Sequence, residues 1–97
     1  MIHVVARMEL NPGCQEKIIE VMRPLVPVVR AEAGCITYNP CVDINPETKE
    51  SFLTIVEAWE SEAHLKAHLD SAHMAAYREA VKDLRKSSDV KVLSPVL

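Results

Sequence analysis

The chain has 97 residues, the length of one domain, and its 11 basic and 14 acidic side chains give a net charge of −3. A chain of this length buries roughly two-thirds of its unfolded surface, which is enough for one modest core. The slightly acidic balance excludes the basic surface that binds a nucleic-acid backbone or an anionic bilayer. We expect residues 1–97 to form a single domain, with neither nucleic acid nor membrane as a partner.

The three cysteines are Cys14, Cys35 and Cys41, an odd number with no C-x-x-C pair. This usage is typical of free thiols in a reducing compartment. The N-terminus has no basic stretch followed by an apolar segment, and no apolar run approaches the roughly 20 residues that span a bilayer. We therefore expect a cytoplasmic protein.

The first third of the chain predicts a strand followed by a helix. Apolar residues alternate from Ile2 to Leu10, as in a strand with one buried face, until a Pro-Gly turn ends the pattern. Over residues 14–33 they recur every three or four positions, which predicts a helix that Gly34 ends as its C′ residue. Pro24 and Pro27 each remove a backbone donor, so we expect a kink or a break in this helix.

Two further strands follow. Residues 35–43 predict a strand that Pro40 restricts to a sheet edge or a bulge. The apolar side chains on one face of this strand are Ile36, Tyr38 and Val42. The polar residues 43–50 predict a loop, and the β-branched and aromatic residues 52–59, FLTIVEAW, predict the next strand.

Helical patterns fill the next stretch, and a strand closes the chain. Ser61 can cap a helix whose buried stripe includes Leu65 and Leu69. Ser71 can cap a second helical run. The residues that line one side of that run are Met74, Tyr77, Val81 and Leu84. Residues 89–96 predict the last strand.

The resulting order is β-α-β-β-α-α-β, and the third helical run can be counted as an extension of the second. This order predicts an α+β fold, the ferredoxin-like split βαβ sandwich, with an antiparallel four-stranded sheet and its helices on one face. The other face also carries apolar residues, since Val5 opposes Val4 and Val56 opposes Ile55. Because large apolar patches mark interfaces, we expect a homodimer packed sheet against sheet.

Several catalytic motifs are absent from the sequence. Its two glycines, Gly13 and Gly34, are too few for a phosphate-binding loop or a dinucleotide fingerprint, and no G-x-S-x-G elbow occurs. Nucleotide-dependent chemistry and Ser-His-Asp hydrolysis are therefore excluded.

Residues with catalytic potential are concentrated in EAWESEAHLKAHLDSAHMAAY, residues 57–77, which contains three of the four histidines. His64 and His68 are one helical turn apart and could present both rings to a metal ion. No glutamate follows the first histidine and no third ligand has a fixed place, so we predict no metal site. His68 lies beside the apolar stripe and is the better candidate to face inward.

Glu57 shares a strand face with Leu53 and Ile55. If that face is buried, its carboxylate must be paired or have a raised pKa, and a histidine across the gap between sheet and helix is a natural partner. The alternatives are a solvent-facing Glu57 or an ion pair with Arg7. The aromatic residues that could belong to the core or line a pocket are Trp59, Tyr38 and Tyr77.

Four segments together resemble the antibiotic biosynthesis monooxygenase (ABM) domain family of small dimeric α+β barrel proteins. They are IHVVARMELNPG, RAEAGCITY, VEAWESEAHLKAHLDSAH and the closing strand, and the third is the most specific. Members of this family include cofactor-independent quinol and polyketide monooxygenases and an isomerase of a phosphorylated autoinducer breakdown product. The resemblance implies a pocket in each subunit between sheet and helices, lined in part by Glu57, Trp59, His68 and His73.

The resemblance further implies a monooxygenase without a cofactor that oxidises a small aromatic quinol or phenol with O₂. A deprotonated substrate can itself reduce O₂, so the protein need only remove a proton and hold the ring in a dry pocket. His68 would be the base, and Glu57 would orient it and stabilise its charge. The substrate-binding residues would be Trp59, His73, Tyr77 and Tyr38.

Two other functions stay open. An isomerase of a small phosphorylated hydroxyketone would use the same histidine and glutamate as proton carriers. It would need a cation at the pocket, for which Arg7, Arg78 and Lys82 are candidates. A non-catalytic, small-ligand-binding dimer is the third possibility, and a pocket too small or too exposed to hold a ring would indicate it.

Overall fold

The computed structural model describes residues 1–97, which form four strands and three helices. In chain order the elements are β1 (Ile2–Leu10), α1 (Gln15–Arg30), β2 (Cys35–Cys41), β3 (Phe52–Trp59), α2 (Glu62–Leu69), α3 (Ala72–Val81) and β4 (Arg85–Leu93). All strand pairs are antiparallel, and the sheet order is β2-β3-β1-β4. The predicted ferredoxin-like α+β fold is confirmed. None of the three helices combines the length and the apolar character that crossing a bilayer requires.

One face of the sheet and the inner sides of the helices form the hydrophobic core. Alternate residues of β1 are buried, as its sequence pattern predicts. The residues that α1 buries at helical spacing are Ile18, Met22, Leu25 and Val29. The same core-facing surfaces carry Glu57 on β3 and His68 on α2, and both side chains are buried. The fold therefore encloses two ionisable groups among apolar neighbours.

The expected break in α1 does not occur, because the helix continues through Pro24 and Pro27. Both prolines lie on the exposed side of the helix, so the carbonyl groups that lose their partners can bond water. The helix ends at Arg30, where the next N–H groups bond carbonyls three residues back, and residues 31–34 form turns. Gly34 lies in these turns with φ of 80°, so its predicted place as the helix C′ residue is wrong.

β2 is an edge strand, as Pro40 predicts, but it ends at Cys41 rather than at residue 43. Its pairing with β3 shifts register near its start. The bulge turns Ile36 to solvent while Tyr38 is buried, so the prediction that they share one face of the strand is wrong. Val42 lies beyond the strand and is also exposed.

The second and third helical runs are two separate helices, and a turn between them makes α3 more than an extension of α2. Ser61 and Ser71 cap α2 and α3 as predicted, since the Oγ of each accepts a hydrogen bond from the backbone N–H three residues later. Leu69 is exposed, so its predicted place in the buried stripe is wrong. α2 ends at this residue, and the buried side chains of the helix are Leu65 and His68.

β4 covers Arg85–Leu93 and not residues 89–96. The polar residues at its start pair with β1 along an exposed sheet edge, where backbone hydrogen bonds rather than burial define the strand. Pro95 has no N–H to donate and lies beyond the end of the strand. Apolar periodicity misplaced this strand because an exposed edge leaves no such pattern.

The sheet face opposite the helices is mixed, which corrects the prediction of an apolar surface there. Val5 and Val56 pair across β1 and β3, and Val56 is 41% exposed. Arg7 on the same face forms an ion pair with Asp43 at 2.9 Å, and its guanidinium lies 4.0 Å from the centroid of the Phe52 ring. Charged and apolar side chains therefore share this surface.

Candidate active site

A cavity of about 150 Å³ lies between the core-facing side of the sheet and helices α2 and α3. Most of its lining residues are hydrophobic. The sheet contributes Val4, Ala6, Met8, Tyr38, Ile55, Glu57, Arg85, Ser88, Val90 and Val92, and the helices contribute Leu65, His68, Leu69, Met74, Tyr77 and Arg78. An apolar cavity of about 150 Å³ is large enough to hold a benzene ring.

His68 is buried beside this cavity and bonds a residue that is far away in the sequence. Its Nδ1 lies 2.6 Å from Oε2 of Glu32, and Nε2 of His73 lies 2.9 Å from Oε1 of the same carboxylate. Because a carboxylate only accepts hydrogen bonds, both imidazole nitrogens donate. Glu32 therefore joins the turn after α1 to both α2 and α3.

The turn after α1 places Glu32 between the two histidines. The N–H of Glu32 donates to the Val29 carbonyl, and the Glu32 carbonyl accepts from Cys35, so the backbone is held on both sides. Gly34 lies two residues further on, and a Cβ at this position would collide with the His64 ring. α2 packs directly against the turn because position 34 has no side chain.

His68 is a neutral imidazole held in one orientation. Burial lowers its pKa, and the hydrogen bond with Glu32 acts in the opposite direction. With the proton on Nδ1, Nε2 is unprotonated, and it makes no hydrogen bond within the chain. Trp59 packs against the ring with centroids 4.6 Å apart, and Tyr38 meets it edge-on at 5.7 Å. The ring thus presents a free acceptor nitrogen on a residue that lines the cavity.

Glu57 lines the same cavity but does not bond His68, which corrects the predicted pair. Its Oε1 accepts a hydrogen bond from Nε1 of Trp59 at 2.9 Å. Burial raises the pKa of Glu57 to about 7, although the hydrogen bond from Trp59 acts to lower it. The alternative ion pair with Arg7 is also wrong, because Arg7 lies on the opposite face of the sheet and pairs with Asp43.

Two phenol groups add to the polar surface of the cavity. The hydroxyl of Tyr38 is buried and has no hydrogen-bond partner, and Tyr38 lies directly across from Glu57 in the β2–β3 register. Burial raises the pKa of Tyr38 above its ordinary value and that of Tyr77 to about 12. Both phenols are therefore protonated at neutral pH. The Tyr77 hydroxyl donates to the Met8 sulfur at 3.5 Å, and sulfur is a weak acceptor.

The structure brings four of the predicted site residues to the cavity and leaves two away from it. His68, Glu57, Tyr38 and Tyr77 line the cavity. Trp59 does not, because it is fully buried behind His68 and Glu57. His73 does not line it either and instead bonds the second oxygen of Glu32. These two predicted wall positions therefore lie outside this cavity, although both residues contact groups that line the cavity or orient them.

Glu32 is the residue that sequence reasoning missed. No spacing rule connects a residue in a polar turn to a histidine 36 positions away. The signal that could have found it is its place in RAEAGCITY, one of the segments that carry the family resemblance.

The same cluster is the set of side chains that could hold a metal ion. Glu32, His68 and His73 each offer one ligand atom, and these atoms lie within 4.8 Å of one another. His64, which its spacing paired with His68, is not part of this set, because its Nδ1 lies 2.7 Å from the Ser61 hydroxyl. In the structure the histidine nitrogens donate to Glu32, whereas a metal would need them unprotonated.

The fold and the cavity define a small ferredoxin-like α+β protein with a largely apolar cavity between its sheet and two of its helices. Residues 1–80 match the family described as "Antibiotic biosynthesis monooxygenase". The chain is 34% identical, over 102 aligned positions, to "Probable quinol monooxygenase YgiN" of Escherichia coli (strain K12), and the alignment covers 98% of each protein. This chain therefore belongs to the antibiotic biosynthesis monooxygenase family, as its resemblance implies.

Solved structures share the fold. Rv0793 from Mycobacterium tuberculosis has a TM-score of 0.87 at 26% identity, covering 98% of this chain and 94% of that one. PA3566 from Pseudomonas aeruginosa has a TM-score of 0.87 at 24% identity, covering 99% of this chain and 94% of that one. The family and the YgiN relative support a monooxygenase-type function.

Proposed function

We propose that this protein is a monooxygenase that needs no cofactor and oxidises a small aromatic quinol or phenol with O₂. The observation that carries the proposal is His68, a neutral imidazole held at Nδ1 by Glu32 on the wall of an apolar cavity of about 150 Å³. Such an arrangement suits the removal of a proton from a ring hydroxyl in a site of low polarity.

Proton transfer is the first step. Nε2 of His68 takes the proton of the substrate hydroxyl, and the carboxylate of Glu32 stabilises the imidazolium that forms. The apolar walls exclude water from the resulting phenolate, so its charge is not stabilised by solvation and remains available to O₂. The imidazolium later returns the proton to the reduced oxygen.

The redox step needs only the substrate anion and O₂. The phenolate passes one electron to O₂, and the radical pair then joins a ring carbon to oxygen. Loss of the ring proton and cleavage of the O–O bond leave a quinone and water. One oxygen atom enters the product, the other becomes water, and the substrate supplies all four electrons.

Hydrogen-bond donors in the cavity orient the ring in this scheme. Glu57, with a pKa raised to about 7, is partly protonated at neutral pH and can donate to a substrate oxygen. Tyr38 has a buried hydroxyl without a partner, and a substrate oxygen would supply one. Glu57 thus binds substrate, and Glu32 takes the orienting role that the sequence assigned to Glu57.

We also propose that the protein acts in the cytoplasm as a homodimer. The support is apolar surface that the chain leaves exposed on the sheet. The side chains concerned on the face opposite the helices are Val56 and Leu93. Light scattering should give twice the chain mass, and Val56→Glu should lower it because a buried, unpaired charge opposes association. A single-chain mass for the unmodified protein rejects the homodimer.

The test of the proposed activity is O₂ consumption by metal-free protein with a panel of quinols and phenols. Turnover should cease without O₂, and His68→Gln should lower it by about 10²-fold or more. His73→Gln is the matched control, because His73 bonds the same carboxylate but does not line the cavity. A His68 variant as active as the parent, or no O₂ consumption across the panel, rejects the proposal.

An isomerase of a small phosphorylated hydroxyketone is the second candidate, and one observation favours it. Of the three cations that the sequence offered, Arg78 lines the cavity, and Arg85 lines it as well. Arg7 is paired with Asp43, and Lys82 with Glu79. An isomerase would turn over without O₂ and would exchange a substrate carbon-bound proton with solvent. A protein that binds rings but shows neither reaction would be the non-catalytic alternative.

A further inference from the structure

The arginines of this chain differ in whether their side-chain N–H groups have acceptors within the protein. Arg7 and Arg23 form ion pairs with carboxylates, and Arg30 donates to two oxygen atoms of β2. Arg78 and Arg85 form no ion pair, and both line the cavity. The two arginines that have neither a carboxylate partner nor an acceptor on the sheet thus line the cavity proposed to bind a substrate.

Most donors of these two guanidinium groups lack a protein acceptor. Arg78 donates one hydrogen bond, to the Leu69 carbonyl at 2.9 Å, and the Arg85 side chain donates none within the chain. A guanidinium has five N–H donors in a planar fork. The one bond of Arg78 holds its group near the end of α2 and leaves the remaining donors for a ligand.

The two arginines are the most exposed of the ionisable residues that line the cavity. Arg78 is exposed and Arg85 half-buried, whereas Glu57 and His68 are both buried. The arginines therefore mark where the cavity opens to solvent. The positive charges of both arginines reach side chains that line the cavity. Besides burial, the charge of Arg78 lowers the pKa of His68, and the charge of Arg85 opposes the rise that burial causes in the pKa of Tyr77.

We propose that Arg78 and Arg85 bind an anionic group of the substrate. The substrate is then a small ring that carries a carboxylate or a phosphate group. Guanidinium groups bind oxyanions through paired, charge-assisted hydrogen bonds. Burying the oxyanion among the apolar walls would cost its hydration, so the ring enters first and the anion stays at the mouth. The inference rests on the proposed function for the ring and for His68, and it adds the charge of the substrate.

The test measures binding to the full chain by calorimetry, without O₂, for three compounds: benzoate, phenyl phosphate and neutral benzyl alcohol. We expect at least one anion to bind about tenfold or more tightly than benzyl alcohol, and the tighter anion identifies the group. Arg78→Gln and Arg85→Gln should each remove most of this preference. Arg23→Gln is the matched control, because Arg23 pairs with Glu20 on the exposed side of α1.

Added salt should weaken the binding of the anions and leave that of benzyl alcohol unchanged, because partly exposed charges are screened. Equal affinity for the three compounds, no binding of either anion, or full anion binding by both glutamine variants overturns the proposal. None of the three compounds needs to be oxidised in this assay. An anion preference without any quinol oxidation would therefore reject the proposed function alone, and quinol oxidation without an anion preference would reject this inference alone.

Discussion

Glu32 Oε2 lies 2.6 Å from His68 Nδ1, although 36 positions separate the two residues in the chain. The contact joins the turn after α1 to α2 and determines which imidazole nitrogen remains free. Without a partner, a buried neutral histidine could carry its proton on either nitrogen. The carboxylate selects one tautomer, so the chemistry of the cavity depends on a residue that does not line it.

Replacement of Glu32 by Gln tests this relationship. The two histidines bond different oxygens of Glu32, and glutamine replaces one of these acceptors by an NH₂ donor, so one tautomer of His68 is no longer selected. We expect kcat for quinol oxidation to fall by about 10²- to 10⁴-fold with little change in KM. Glu47→Gln, in the exposed loop before β3, serves as the control and should leave kcat unchanged. Wild-type kcat in the Glu32 variant would show that the carboxylate does not orient the base.

The raised pKa of Glu57 makes stability depend on pH. Between its ordinary value of 4.5 and the folded value of about 7, the folded protein holds a proton that the unfolded chain has lost. Below pH 4.5 this proton contributes its full share to the free energy of unfolding. As the pH rises to 7, the free energy of unfolding falls by up to about 3 kcal/mol. Glu57→Gln cannot titrate and should lack this slope.

Urea denaturation across pH 4.5–7.5 measures the effect as the difference between the parent and Glu57→Gln. The difference is needed because His68, with its lowered pKa, contributes a slope of opposite sign below its ordinary value. The exposed acid Glu62 provides the control variant Glu62→Gln, which should track the parent. Parallel curves for the parent and Glu57→Gln would contradict a raised pKa.

The hydroxyl of Tyr38 has no hydrogen-bond partner, so its removal should affect folding stability and substrate binding differently. Tyr38→Phe removes a buried polar group that has no hydrogen bond, so the free energy of unfolding should stay the same or rise by about 1 kcal/mol. KM for the quinol should rise by about 3- to 10-fold if substrate supplies the missing partner. An unchanged KM would mean that this hydroxyl does not contact substrate.

Metal ions should inhibit rather than activate. Chelation is expected to leave O₂ consumption unchanged, because proton transfer uses only His68 and Glu32. Zn²⁺ should inhibit the enzyme by binding to Glu32, His68 and His73. Binding removes the proton from Nδ1 of His68 and with it the hydrogen bond to Glu32 that orients the ring. His73→Gln should weaken this inhibition, whereas His3→Gln, on the opposite face of the sheet, should not. Activity that is lost on chelation and restored by a metal would contradict this account.

The local rules of the chain account for much of the fold. Alternation in β1 and β3, helical spacing in α1, and the two serine caps all act between residues a few positions apart. They predict the order of elements, and the order predicts the ferredoxin-like sheet. The same rules placed His68 inward and Glu57 on a buried face, because each sits within a periodic apolar pattern.

Edge strands and long-range contacts were decided only by the tertiary structure. β4 pairs along an exposed edge of the sheet, where burial leaves no apolar pattern in the sequence. A bulge in β2 turns the side chain of Ile36 to solvent. The bond of His68 to Glu32, which lie 36 positions apart, depends on how the turn after α1 and helix α2 approach each other. Periodicity determines which side of an element is buried, but the partner that a buried polar group meets there is determined by the packing of elements distant in the chain.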